Sequence, residues 1–78
     1  MILLKFFAQC ADQVGQPQRR VPFASTPEKI LASDPDPALA SLRTISHVRV
    51  AVNHSWAQWD TPLKDGDEVA IVPPVSGG

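Results

Sequence analysis

The clearest pattern in the chain is residues 2–7, apolar at every position but Lys5. Alternation places Ile2, Leu4 and Phe6 on one side and Leu3, Lys5 and Phe7 on the other. The run therefore predicts a strand that is apolar on both faces. Residues 8–14 predict a short helical turn, with Gly15 where a left-handed C-terminal residue belongs. Gln16-Pro17 predicts a turn, and residues 18–23 a short strand whose two arginines suit an exposed edge. Ser25-Thr26-Pro27-Glu28 is a helix start. A hydroxyl can cap the free backbone N–H groups there, proline is tolerated in the first turn, and Glu28 adds a favourable charge. That helix carries Ile30 and Leu31 into the core. Asp34-Pro35-Asp36-Pro37 ends it, because each proline drives its predecessor out of the helical region. Residues 38–42 predict one further helical turn.

Residues 47–53 alternate cleanly, with Val48, Val50 and Val52 on one face and His47, Arg49, Ala51 and Asn53 on the other. Asn53-His54-Ser55 predicts a turn, and residues 56–59 a short extended piece. Pro62-Leu63-Lys64 predicts a single helical turn capped by Asp60, and Asp65-Gly66-Asp67 another turn. Residues 68–72 are the last strand, Val69 and Ile71 facing inward and Ala70 and Val72 outward. Pro73-Pro74 ends its ladder, since neither residue can donate a backbone hydrogen bond. Strands apolar on both faces belong in the middle of a sheet, so the first and last strands should pair there, in parallel, through a crossover carrying the helix. The expected fold is α+β: a β-grasp mixed sheet with one main helix packed on one face. The expected organisation is a domain over residues 1–74 and a flexible Gly-Gly tail over 75–78.

Composition narrows the chemistry. The chain has 78 residues, 44% hydrophobic and 19% charged, enough for one small core. A net charge of −1 provides no basic patch for a phosphate backbone, so no nucleic-acid partner is expected. The apolar start is too short for a membrane span and lacks the basic flank of a signal peptide. Cys10 is the single cysteine, which favours a reducing cytoplasm and reads as an inert thiol. His47 and His54 have no third ligand at zinc spacing, so no metal site is expected. The serines lack a readable base and orienting acid, and Asp65-Gly66-Asp67 lacks the rest of a calcium loop.

The C-terminal Val75-Ser76-Gly77-Gly78 resists so plain a reading. Four to six extended residues reach on the order of 15–20 Å from a fold. Glycine lacks a Cβ, so a di-glycine end fits a channel too narrow for other residues. From composition alone, a frayed end and a carboxyl group delivered into another protein's active site stand level. On the sheet, Phe7, Ala51, Ala70 and Val72 fall on the face away from the helix, an apolar patch that argues for a partner against incidental exposure. Trp56 divides between such a patch and packing in a minor core.

Phe6-Phe7-Ala8, Val52-Asn53, Pro62-Leu63-Lys64-Asp65-Gly66-Asp67-Glu68-Val69 and Pro73-Pro74-Val75-Ser76-Gly77-Gly78 together resemble the MoaD/ThiS family of ubiquitin-like sulfur carriers. The likeness covers essentially the whole chain, and the terminal proline–proline–valine–small–glycine–glycine run is its most specific part. Two departures stand out: Ala11-Asp12 replaces an arginine–glutamate pair frequent in the family, and the middle helix is short and proline-interrupted.

The resemblance implies a carrier cycle on Gly78. An E1-like adenylating enzyme would consume ATP to join the Gly78 carboxylate to AMP, and a persulfide sulfur donor would then leave a thiocarboxylate, a 1-thioglycine at Gly78. No cofactor would stay bound. Pro73, Pro74, Val75, Ser76 and Gly77 would lead into the active site of the large subunit of molybdopterin synthase, in a heterotetramer, where sulfur passes to a cyclic pterin precursor. The acids and bases of that pocket would belong to the partner. Phe7, Trp56 and Val72 fall where the family places apolar residues against its partners. A carrier feeding thiamine or tRNA thiolation would use the same tail. An interaction module of the same fold would leave it unactivated.

Overall fold

The computed structural model describes residues 1–74; residues 75–78, with the expected free tail, lie outside the described residues. Strands β1 (Ile2–Phe6), β2 (Gln18–Val21), β3 (Arg49–Val52), β4 (Ser55–Ala57) and β5 (Glu68–Val72) form one sheet in the order β2-β1-β5-β3-β4. The two strands apolar on both faces take the centre. β1 and β5 run parallel, Leu4 opposite Val69 and Phe6 opposite Ile71, and every other pair is antiparallel.

Burial alternates along both central strands. Ile2, Leu4, Phe6, Val69 and Ile71 are buried, and Val50 of β3 and Val21 of β2 extend the same layer. Each such side chain contributes about 1.5–3 kcal/mol when withdrawn from water.

The inner face is covered by three short helices, α1 (Gln9–Val14), α2 (Pro27–Ser33) and α3 (Pro37–Ser41), followed by a 3-10 turn at Leu42–Thr44. The expected main helix is α2. Thr26 Oγ1 accepts from the Lys29 N–H at 3.2 Å, Pro27 occupies the first turn, and Ile30 and Leu31 are buried. Asp34 is extended, as a residue before proline should be, and Asp36 restarts the chain by accepting from the Ala38 N–H at 2.9 Å. Leu39 and Leu42 then complete the core beneath the sheet. Arg19 of β2 donates to Asp36 at 2.9 Å and reaches Asp34 at 3.5 Å, tying the sheet edge to this corner. At the end of α1, Gly15 adopts φ 90°, the left-handed conformation expected of it.

Three local expectations are corrected. Residues 62–64 form no helical turn: the Leu63 N–H donates to the Ser25 carbonyl at 2.9 Å, and Trp59 accepts from the Glu28 N–H at 3.0 Å. The segment is stitched to the start of α2: the Leu63 N–H serves a distant carbonyl, the Lys64 N–H serves the Asp67 carboxylate, and Asp60 has no helix to cap. His47 belongs to a turn with φ 62°, and β3 begins only at Arg49. β2 stops at Val21, where Pro22 removes the next ladder donor. No helix among the described residues is long and apolar enough to cross a membrane.

β3 and β4 are joined by Asn53 and His54, with φ 50° and 71°, the paired positive angles that match a two-residue hairpin to strand twist. Asn53 also clamps this hairpin to the start of β5. Its Nδ2 donates to Asp67 Oδ1 at 3.0 Å, and its Oδ1 accepts from the Glu68 N–H at 3.0 Å. Asp67 Oδ2 accepts from the Lys64 N–H at 2.8 Å. The Lys64 N–H, and after it Asn53, hold the Asp67 carboxyl below its ordinary range; the Ala38 N–H and Arg19 do the same for Asp36. Both groups stay ionised in the folded chain at acidities where the unfolded chain takes up protons. Their stabilisation is present above the unfolded carboxyl value of about 3.9 and is lost as pH falls through the lower folded values. Urea midpoints should therefore fall on acidification through this window, and Asp67→Asn should flatten the dependence. An unchanged acid limb in that variant would remove Asp67 from the account.

Candidate functional site

All the helices lie on one side, so the opposite face of the sheet is bare. Leu3 and Lys5 of β1, Glu68 and Ala70 of β5, Arg49 and Ala51 of β3, and Trp56 of β4 occupy that face by register. Phe7 follows the end of β1, and its N–H donates to the Ile71 carbonyl at 3.3 Å, which sets it level with Val72. Val72 is opposite Arg49, and Trp56 is one strand further on.

Phe7, Val72, Arg49 and Trp56 thus make a row across four adjacent strands. At about 4.8 Å per strand, its three gaps span about 14 Å. Phe7 is 47% exposed and Trp56 58% exposed, while the neighbouring Phe6 is only 3% exposed. Exposure of Trp56 excludes the minor-core alternative. Burying two aromatic side chains of this kind is a strong source of association free energy.

The flank of the row is charged. Lys5 Nζ lies 3.3 Å from Glu68 Oε1, and His54 Nε2 lies 3.2 Å from Glu68 Oε2. The Arg49 guanidinium stacks 4.1 Å above the Trp56 ring. Sequence reasoning brought Phe7, Ala51, Ala70 and Val72 to this face but gave Arg49 no role. The two-residue hairpin held the signal. It pairs Val52 with Ser55 and Ala51 with Trp56, which leaves Arg49 diagonal to the indole on the same face.

The proline pair that follows Val72 divides. Pro73 is buried in the chain's own fold and Pro74 is exposed. Placing Pro73 in a partner's channel is therefore corrected: it is packed into the domain directly after β5. Val75, Ser76, Gly77 and Gly78 lie outside the described residues. Cys10 is fully buried, and burial pushes its thiol above the ordinary value, so it is a core residue with no thiolate to offer. Two surface hollows, one lined by Ala11, Asp12, Gly15, Gln16 and Pro17 and the other by Glu28, Leu31, Ala32, Ala40 and Arg43, share no residue with the row. Among the described residues no three His, Cys, Asp or Glu side chains converge as a metal site. The row passes through Val72, the last residue of β5.

Comparisons with known proteins agree with this arrangement. The model of the ThiS family matches residues 4–78. A molybdopterin synthase sulfur carrier subunit of Escherichia coli (strain K12) is 37% identical over 82 residues, covering 100% of both chains. Its namesake from Drosophila erecta is 39% identical over 80 residues, covering 94% of this chain and 86% of that one. Among solved structures, SAMP1 from Haloferax volcanii superposes with a TM-score of 0.81 at 28% identity, covering 99% of this chain and 98% of that one. With a β-grasp sheet and a family match that runs through Gly78, the chain belongs to the ThiS family.

Proposed function

We propose that this chain is the sulfur carrier subunit of a molybdopterin synthase. The observation that carries the proposal is the likeness, over the full length of both chains, to the Escherichia coli protein of that name. The bare row of Phe7, Val72, Arg49 and Trp56 supplies the physical complement, a face on which a larger subunit would dock.

In the proposed cycle the Gly78 carboxylate attacks ATP on an E1-like enzyme and becomes an acyl-adenylate, releasing pyrophosphate. A carboxylate is a poor electrophile, and AMP makes a good leaving group. A persulfide donor then displaces AMP with its outer sulfur, giving an acyl disulfide. A second thiol of the donor system attacks the donor's inner sulfur, breaks the S–S bond and ends as a disulfide, which releases the C-terminal thiocarboxylate. The large subunit receives residues 74–78 in its active site, and sulfur passes to the cyclic pterin precursor bound there, in the cytoplasm. This chain contributes a reactive end and a docking face, and the partner contributes the acids, bases and cations of the pocket. Gly77 and Gly78 suit a channel that side chains would block.

Mixing the chain with the large synthase subunit of the same organism should give a complex that co-elutes in size-exclusion chromatography at a mass expected for a heterotetramer. Separate elution at micromolar concentrations, with both proteins folded, would contradict the assignment.

A further inference from the structure

We propose that Arg49, stacked on Trp56, reads a carboxylate: an Asp or Glu side chain of the docked large subunit closes on the free edge of its guanidinium. The inference rests on the docking reading of the outer face and deepens it by naming the chemistry of one contact.

A second stacked arginine in the same molecule shows what Arg49 lacks. Arg43 lies 4.2 Å from the Trp59 ring, and its edge also donates to Glu28 Oε1 at 2.9 Å. Indole below and carboxylate at the side together satisfy that guanidinium. Arg19 has Asp34 and Asp36, and Lys5 has Glu68. The Arg49 guanidinium has the indole at 4.1 Å but no hydrogen bond or ion pair to any described side chain. Stacking uses the flat face of the guanidinium and leaves its in-plane N–H donors pointing away from the ring.

In water this is inexpensive. Under a docked protein it is not, because a desolvated charge without a partner is strongly unfavourable, whereas a planar fork meeting a carboxylate forms the strongest kind of protein hydrogen bond. The surrounding charge points the same way. Lys5, Arg20 and Arg49 occupy this face by register against Glu68, so the face is locally basic on a chain whose net charge is −1. An acidic patch is the complementary partner surface. Position adds a purpose: Arg49 is opposite Val72, the last residue of β5, so a carboxylate held there fixes the docked domain six residues before Gly78 in the chain.

The test is isothermal titration of the large subunit of the same organism with the parent chain, Arg49→Leu, Arg49→Gln and Arg49→Lys, at low and high salt. Arg49→Gln should bind about tenfold to a hundredfold more weakly, with a shallower salt dependence. Arg49→Leu should lose at least as much although it makes the face more apolar, and Arg49→Lys should fall between, keeping the charge without the planar fork. Arg49 is exposed, so far-UV circular dichroism should match the parent in all three. Equal or tighter binding by Arg49→Leu, with an unchanged salt slope, would show an apolar partner surface at this point and overturn the inference while leaving docking intact. Failure of the parent chain itself to bind would overturn both.

Discussion

Deletion of Gly78, or addition of one residue after it, is expected to abolish sulfur transfer while leaving the folded domain unchanged. In the proposed cycle the reacting atom is the carboxyl carbon of Gly78, and either change removes it or displaces it by a residue. Positioning in acyl chemistry is exacting: about 1 Å of misplacement can lower a rate on the order of a hundredfold, and one extended residue is about 3.3–3.6 Å. Gly77→Ala should impair transfer less, since it leaves the carboxyl in register and adds only a methyl group inside the channel. Every buried side chain among the described residues lies at or before Pro73, five positions ahead of Gly78, so thermal unfolding should be unaffected by either change. Synthase turnover with the large subunit, read beside a melting curve, separates the two effects. Full activity in the Gly78 deletion would end the carrier assignment.

The second large effect is expected at Phe7. Phe7→Asp should weaken binding to the large subunit by about 2 kcal/mol or more, roughly thirtyfold, as for an aromatic anchor at the centre of an interface. Its neighbour provides the control. Phe6 is 3% exposed and belongs to the core, whereas Phe7 is 47% exposed and stands outside it. Phe6→Asp should therefore unfold the domain, and Phe7→Asp should fold normally and fail to dock. Titration calorimetry with circular dichroism distinguishes the pair. Unchanged affinity for Phe7→Asp, together with loss of the folded state, would reverse the roles of the two phenylalanines.

The centre of this fold could be read from hydropathy because the physics there is one-dimensional. β1 and β5 are apolar on both faces, the middle of a sheet is the one place that buries both, and Leu4–Val69 and Phe6–Ile71 are the resulting neighbours. Two helix ends were legible for the same local reason: Thr26 caps α2 through the Lys29 N–H three residues on, and Gly15 closes α1 through the Ala11 carbonyl four residues back. Residues 62–64 were misread because their fate is non-local. Nothing within the segment shows that Ser25 will accept the Leu63 N–H, and a proline followed by leucine and lysine suits the start of a helix equally well. Pro73 illustrates the same limit. Its missing donor predicts the end of a ladder, but burial depends on which surface the chain meets next, and here that surface is the domain's own.

The docking face was half legible. Alternation assigned Phe7, Ala51, Ala70 and Val72 to the side away from the helices, since that requires only a strand period of two. The stack of Arg49 on Trp56 needed the register of the hairpin as well, and His54 is an unusual residue for the second left-handed position of such a turn. The motif Asp65-Gly66-Asp67-Glu68 illustrates how conformation and docking share residues. Asp67 fastens the β3–β4 hairpin to β5, and Glu68 pairs with Lys5 and His54 on the outer face.

Sulfur carried on Gly78 would be visible in the mass of the intact protein. The chain would be incubated with its cognate E1-like enzyme, ATP and a persulfide source, and weighed before and after. The account predicts a gain of about 16 Da, one carboxylate oxygen replaced by sulfur, confined to the C-terminal peptide and absent without ATP. An unchanged mass under conditions in which the enzyme activates another carrier, or a gain that maps to Cys10, would contradict it.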